Sequence, residues 1–472
     1  MTQGTTVPHS GPYRGNQQHR GQRHEQPADQ HNGTRGPHRS HRRPEPAGAG
    51  DLAPDARLPR LIPAHGAVPV DLPTHLSRYG APPYLGQPGR LIPVLEAARL
   101  TGRGGAAFPV YRKLAAVAEA GTRPVVIGNG AEGEPASDKD KSLLWISPHL
   151  VLDGLQLAAE AVGSAAVGLY VHRNGRLQER LRAAVAERGM AGIDRVPVEI
   201  IDAPPRFLAG EESALASRIS GEPAMPRFKP PRVFEQGVVG RPTLVHNVET
   251  VAHLALIARY GPHWFRVAGT PQEPGSMLCT LHQPDGRRDV VETELGTPLR
   301  NLVRIDEGTQ AVLSGGYHGA WLPAADAVRL TLSNADLRPA GAFVGAGVLA
   351  ALPADRCGIA ETARVTRYLA LESAGQCGPC FNGLPRITAA LDEVASPRPD
   401  PRAVTDMMRW AGLVEGRGAC HHPDGTVRFV RSALHVFRDE IRLHSQGHCV
   451  DPARRPFLPL PAGTALDAAD WS

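Results

Sequence analysis

Two kinds of apolar run alternate through the middle of the chain. Short β-branched stretches, "PVVIGNG" (124–130), "AAVGLYV" (165–171) and "VPVEIID" (196–202), read as strands. Between them, apolar residues recur at helical spacing over 149–162 and 177–188, and a further helix over 247–259 closes the unit. This alternation predicts a parallel sheet covered by helices, with ligands at the C-terminal strand ends. Residues 264–335 change character. Their short strands, "MLCTL" (277–281), "DVVETEL" (289–295) and "AVRLTLS" (327–333), predict a small α+β domain. From Asp355 the spacing turns helical over 360–374, 383–395, 403–414 and 430–444, which predicts a helical bundle. The Pro- and Ala-rich residues after 450 read as a loose end.

Composition sharpens this picture at the start of the chain. The formal net charge is +5, yet residues 1–50 alone hold seven Arg and three acidic residues. The remainder is close to balanced, which excludes a strongly basic body and nucleic-acid binding as its function. Through Gly50 there are almost no large apolar residues, so burial cannot offset ordering entropy and the leader is expected to be disordered. No secretory signal opens the chain. The most apolar stretch, 149–173, holds Asp153 and Glu160 and is divided by Gly163, so it is not a membrane span. A cytoplasmic location follows, at most peripheral to a membrane complex. Six cysteines in 472 residues are too few for a disulfide scaffold.

Candidate chemistry gathers in a few loops. "TGRGGAAFP" (101–109) places Gly102, Gly104 and Gly105 where backbone amides can converge on a phosphate or flavin. It is neither a Walker A loop nor a dinucleotide fingerprint. "GNGAEGEPASDKDK" (128–141) sets carboxylates just after a strand, suited to ribose hydroxyls or a flavin edge or to a plain charged turn. "LAGEESAL" (208–215) opens a helix on Glu211 and Glu212, which the helix dipole alone explains. Lys113 is one of four lysines beside forty-eight arginines, and a lysine near a flavin favours the reduced, anionic ring. "ESAGQCGPC" pairs Cys377 with Cys380, and Cys420 follows a further helix. Three such cysteines suit an iron–sulfur or zinc centre, or a redox dithiol. Cys279 and Cys357 read as small buried hydrophobes, and Cys449 has no evident role.

Taken in order, "GRGGAAFP", "GNGAEGEP", "HLVLDG", "GEESAL", "KPP", "GRPTLVHNVET", "VGAGV", "ESAGQCGPC" and "FRDE" resemble the flavoprotein subunit of respiratory complex I and the diaphorase subunits of NAD-linked hydrogenases and formate dehydrogenases. The resemblance runs from about residue 95 to 445. It implies a disordered leader (1–56), a Rossmann-like α/β domain binding FMN (57–260), a ubiquitin-like α+β domain (261–337), a helical iron–sulfur domain (338–450) and a tail (451–472). By motif, Gly102, Gly104, Gly105, Lys113, Asn129, Glu132, Gly210, Glu211, Glu212, Asn247 and Thr250 would surround FMN. Glu134 would accept an NADH ribose, Phe108 would lie near the adenine, and Cys377, Cys380 and Cys420 would hold the cluster. Glu134 and Lys113 would be the catalytic pair.

Departures from the family pattern qualify the activity. Ala374 stands where the family has the first cluster cysteine. Three thiolates then imply a 3Fe-4S centre, a 4Fe-4S centre with an external or unusual fourth ligand, or no cluster. His421, His422, Asp424 and Cys449 are the candidate fourth ligands. The family's N-A-D-E has become Asn129-Gly130-Ala131-Glu132, and Phe207 replaces a tyrosine. Two aromatics that would sandwich adenine are absent. At about 0.5–1.5 kcal/mol each, their loss weakens NADH by roughly tenfold to a hundredfold. The leading expectation is an FMN-dependent electron-transfer subunit taking electrons from NADH or another donor. It would deliver them to a separate acceptor, ferredoxin-like or a membrane-associated reductase. The alternatives are a degenerate structural or assembly subunit, and a zinc module on Cys377, Cys380 and Cys420.

Overall fold

The computed structural model describes residues 57–62, 68–120, 123–461 and 471–472. The expected disordered leader, 1–56, lies outside these residues. Three helices precede the first strand: α1 (Leu72–Tyr79), α2 (Leu91–Ala98) and α3 (Val110–Glu119). There follow β1 (Val125–Gly130), α4 (Lys139–Ile146), α5 (Pro148–Val162), β2 (Val167–His172), α6 (Gly175–Met190), β3 (Val198–Ala203), α7 (Glu212–Ile219), β4 (Thr243–Asn247) and α8 (Val248–Arg266). The four strands form a parallel sheet in the order β3-β2-β1-β4. Every strand anticipated in this unit is present. The fourth, "TLVHN", is short and hidden against the start of α8. Helix α8 breaks where Gly261 takes φ +82 ahead of Pro262.

One face of this sheet carries the largest core, built from α2, α3, α5 and α8 with Leu95, Leu114, Leu155 and Val251. Inside it lies a buried charge network. Asp153 on α5 pairs with Arg188 (2.8 Å), Arg259 and His75 (2.9 Å), which together hold its carboxyl down against burial. The other face, with Ile127, Tyr170 and Val245, is closed by Leu215 and Ala216 of α7.

The second sheet contains β5 (Ser276–His282), β6 (Arg288–Glu294), β7 (Thr309–Ser314), β8 (Ala320–Pro323) and β9 (Val348–Pro353), in the order β6-β5-β9-β7-β8. Only β5 and β9 run parallel. The segment 327–333, expected as a strand, instead follows the short helix α9 (Ala324–Ala327) and leads into α10 (Asn334–Leu337). Its apolar residues, Leu330 and Leu332, pack under the sheet from irregular backbone. Both faces of β9 are covered, and the period of two assigns them. Val348, Ala350 and Leu352 face the helices, while Leu349 and Ala351 face the small core of this sheet.

The helical region contains α11 (Gly358–Leu371), α12 (Leu384–Val394), α13 (Ala403–Val414), α14 (His422–Val436) and α15 (Arg438–Ser445). The single helix expected over 430–444 is two, divided at Phe437. Residues 451–461, expected as a loose end, pack on this bundle. Leu458 is buried, and the Phe457 and Leu458 amides donate to Glu361.

Candidate functional site

The chain runs β1 to β2 to β3 outward on one side of β1, then returns to place β4 on the other. The crevice beyond the ends of β1 and β4 is therefore the topological switch point, where open α/β sheets take ligands. Asn129 and Asn247 stand there as register partners. Asn129 Nδ2 donates to Gly210 O (2.8 Å), and its Oδ1 accepts from the Ala131 amide (3.2 Å). Asn247 caps α8 by accepting from the Glu249 amide (3.0 Å), and its Nδ2 donates to Asp140 Oδ2 (2.6 Å). The glycine loop lies over this floor. The Arg103 amide donates to Thr250 Oγ1 (2.8 Å), and a Cβ on Gly104 would stand 3.3 Å from Asn247 Cβ. A Cβ on Gly210 would meet Ala131 O at 2.5 Å, so only glycine lets these loops touch. Backbone with so few side chains makes a cradle suited to a flat ring and a phosphate.

All four lysines are ion-paired around this cradle. Lys113 Nζ meets Glu212 Oε2 (2.9 Å) and Val245 O (3.2 Å). Lys229 reaches Glu211 (2.8 Å) and Glu212 (3.3 Å), and the two lysines hold Glu212 in its charged form against the cost of burial. Glu211 also caps α7, accepting from the Ser213 and Ala214 amides. Lys141 pairs with Asp138 and Glu132. Glu132 is buried and accepts from the Asp140 and Lys141 amides (both 3.2 Å) at the start of α4. Lys139 is fully enclosed between Asp140 (2.7 Å) and Glu249 (2.9 Å). Although burial alone would raise it, Lys139 and His253 hold the Glu249 carboxyl down at about 2.

Glu134 lies across the crevice, half-buried beneath Gly316. Its Oε2 accepts from the Tyr317 amide (2.9 Å), and desolvation pushes its carboxyl up to about 7. A side chain at Gly316 would collide with that carboxylate at 2.6 Å. Phe108 is half exposed on the rim. Phe207 joins the first unit to the other two through edge contacts with His318 (4.9 Å) and Tyr368 (6.1 Å) and a tilted one with His422 (5.8 Å).

Cys377, Cys380 and Cys420 lie close enough to act on one another's thiols. Burial raises the Cys380 thiol, and Cys377 and Cys420 beside it raise it further. Cys420 is pushed up to about 11, chiefly by burial, and lies near enough to feel Glu211 and Lys229 of the cradle. Ala374 packs among Phe207, Leu208, Ala209, Met225 and Trp471 and offers no donor. Three of the candidate fourth ligands are committed elsewhere. His422 spends Nε2 on Leu369 O (2.8 Å) and Nδ1 on His318 (3.0 Å). Cys449 lies with Cys357 and His444 at the far end of α11, and Cys357 is buried as expected. Asp424 accepts from the Gly416 amide (2.8 Å). The fourth candidate, His421, is almost fully exposed.

Sequence reasoning assigned no role to Arg103, Lys139, Glu249 or His318. Only the scarcity of lysine hinted at Lys139. Arg103 turns away from the cradle to the Ser276 (3.1 Å) and Pro274 (3.3 Å) carbonyls, a contact between units that the glycine motif does not reveal.

Two family models match the chain: the Nuo51 FMN-binding domain over residues 95–256, and the NADH-ubiquinone oxidoreductase-F iron-sulfur binding region over 360–444. Over 388 residues the chain is 28% identical to one of the subunits of NADH-quinone oxidoreductase in Rhizobium meliloti, covering 78% of this chain and 91% of that protein. It is also 28% identical to the mitochondrial NADH dehydrogenase [ubiquinone] flavoprotein 1 of Dictyostelium discoideum, covering 77% and 80%. Among solved structures, an NAD+-reducing [NiFe]-hydrogenase in the H2-reduced state superposes with a TM-score of 0.71 at 28% identity. That match covers 77% of this chain, which spans 63% of the hydrogenase chain.

Proposed function

We propose that this chain, which carries the FMN-binding and iron–sulfur domains of the complex I 51 kDa flavoprotein family, is an electron-transfer subunit taking electrons from NADH and delivering them to a separate acceptor protein. The observation that carries this reading is the adjacency of two sites. The glycine-lined cradle at the β1/β4 switch point ends on the Glu211–Lys229 ion pair, and Cys420 of the three-cysteine group is close enough to feel the charge of both. FMN, when bound, supplies the exchange between a hydride pair and single electrons.

The remaining chemistry belongs to the chain. The amides of Gly102, Gly104 and Gly105 and the start of α8 at Asn247 and Thr250 would hold the FMN, with Asn129, Glu132 and Gly210 shaping its floor. Lys113 brings positive charge to the ring, balanced by Glu212. Glu134 would accept ribose hydroxyls of NADH, with Phe108 at the adenine end. Cys377, Cys380 and Cys420 would bind iron and leave one corner without a protein thiolate, as a 3Fe-4S centre or a 4Fe-4S centre with a non-cysteine ligand. The order β6-β5-β9-β7-β8 supports reading the second sheet as ubiquitin-like, with β9 (Val348–Pro353) joining it from beyond the expected division at 337. Phe381, exposed beside Cys380, marks the face where a ferredoxin-like or membrane-associated acceptor would approach. No helix among the described residues is long and apolar enough to cross a membrane, in keeping with a cytoplasmic or peripheral subunit.

Anaerobic purification followed by flavin, iron and sulfide assays tests this reading. It expects about one FMN and three to four irons per chain. A chain that takes up no flavin on reconstitution would overturn it. The packing of Ala374 against Leu208 and Trp471 favours a second reading, a structural subunit with no cluster. Bound flavin with no iron would select that one.

A further inference from the structure

A second group of metal-ligating atoms lies at the opposite end of α11 from the cluster cysteines. Cys357 precedes the first residue of α11, and the helix's 14 residues put about 21 Å between its ends. Cys357 Sγ, His444 at the end of α15 and Cys449 in the following loop present ligand atoms all within 4.8 Å of one another. Cys357 and His444 are buried. The Sγ–Nε2 separation is 3.5 Å, and Glu440 Oε2 stands 3.3 Å from the same sulfur. Tetrahedral zinc with bonds of about 2.3 Å to sulfur and 2.0–2.1 Å to nitrogen or oxygen spaces such ligands about 3.6 Å apart.

Hydrogen bonding points the same way. His444 Nδ1 lies 3.1 Å from Val394 O, a carbonyl that can only accept, so Nδ1 carries the proton. With Nδ1 so engaged, Nε2 faces the sulfur, the arrangement by which a backbone carbonyl orients a metal-bound histidine. The Cys357 sulfur also accepts from the Ala360 amide (3.3 Å) at the start of α11. A single thiol proton cannot serve both Glu440 Oε2 and His444 Nε2. Glu440 Oε1 is buried with no partner, and one cation among these groups would resolve both deficits. Cys357 also lines a small cavity with Asp392 and Arg454. Cys357 and Cys449 both lie outside the segment, 360–444, that matches the iron-sulfur region.

We propose that Cys357, His444 and Cys449, with Glu440 as the fourth ligand, form a tetrahedral zinc site independent of Cys377, Cys380 and Cys420. The site fastens the start of α11, the end of α15 and the loop beyond it. Its ligands number four and leave no open position, so its role is structural.

Zinc and iron measured together on the full chain, purified anaerobically without added metal, test the site. About one zinc per chain is expected. Cys449→Ser should lose most of that zinc and keep its iron, and Cys377→Ser should do the reverse. If Cys449→Ser fails to fold, Co2+ replaces it as a probe in a Cys377→Ala/Cys380→Ala background. A thiolate-to-cobalt charge-transfer band with tetrahedral d–d absorption is then expected. No zinc in the wild-type chain, zinc unchanged in Cys449→Ser, or iron lost with Cys449 would each overturn the proposal. So would a Cys357–Cys449 disulfide in the anaerobic protein, or cobalt without the charge-transfer band.

Discussion

The side chain of Glu134 shows how one residue can hold two states. Its carboxyl, ordinarily near 4.5, is pushed up to about 7 by desolvation, which its bonds from the Tyr317 and Ala136 amides only partly offset. A folded value above the unfolded one means the native state binds the extra proton between those limits. Stability is therefore lost as pH rises from about 4.5 through about 7. Glu134→Gln should match the parent's melting temperature near pH 4.5 and exceed it at pH 8, read by thermal unfolding across that range. The same substitution should raise KM for NADH if this carboxylate receives the ribose. Lys113 yields a second prediction. Replacing it with Met removes the positive charge opposite Glu212, and the bound flavin should become harder to reduce by about 1 kcal/mol, or ~20 mV for a two-electron couple. Ala374→Cys is the third. It returns a thiol to the corner that now packs on Leu208 and Trp471, and anaerobic electron paramagnetic resonance should show a shift toward a four-iron centre.

At the scale of elements, the buried Lys139 binds three of them together. It sits on α4 and pairs with Glu249 at the start of α8, whose other oxygen accepts from the Leu278 amide of β5 (2.8 Å). Lys139→Met leaves Glu249 and Asp140 buried without their cation, and urea unfolding should show a loss of about 3–5 kcal/mol. The parallel sheet was legible from the chain because β1, β2 and β3 are β-branched runs ending at turns. The glycine and acidic loops were legible because their residue types are unusual in that order. The second sheet was less so. Strands β7 and β8 are short and buried on both faces, so they carry no alternation, while Val328, Leu330 and Leu332 mimic alternation from irregular backbone. The grouping of Cys357 with His444 and Cys449 could not be read at all. It joins Cys357 to positions about ninety residues further along the chain.

Across the whole molecule, three units meet at one junction. Phe207 from the first unit, His318 from the second and His422 and Tyr368 from the third form a packed aromatic group. Burial keeps both histidines neutral, so His422 donates from Nε2 to Leu369 O and accepts at Nδ1 from His318. Cys420 lies near enough to Glu211 and Lys229 to feel their charge, and burial dominates its raised thiol. The most direct test is an anaerobic NADH titration of the FMN-loaded chain, followed by visible absorption and electron paramagnetic resonance on the same sample. Bleaching of the flavin together with the appearance or change of an iron–sulfur signal is the predicted result. A bound flavin that NADH leaves oxidised, with the iron–sulfur signal unaltered, would contradict it.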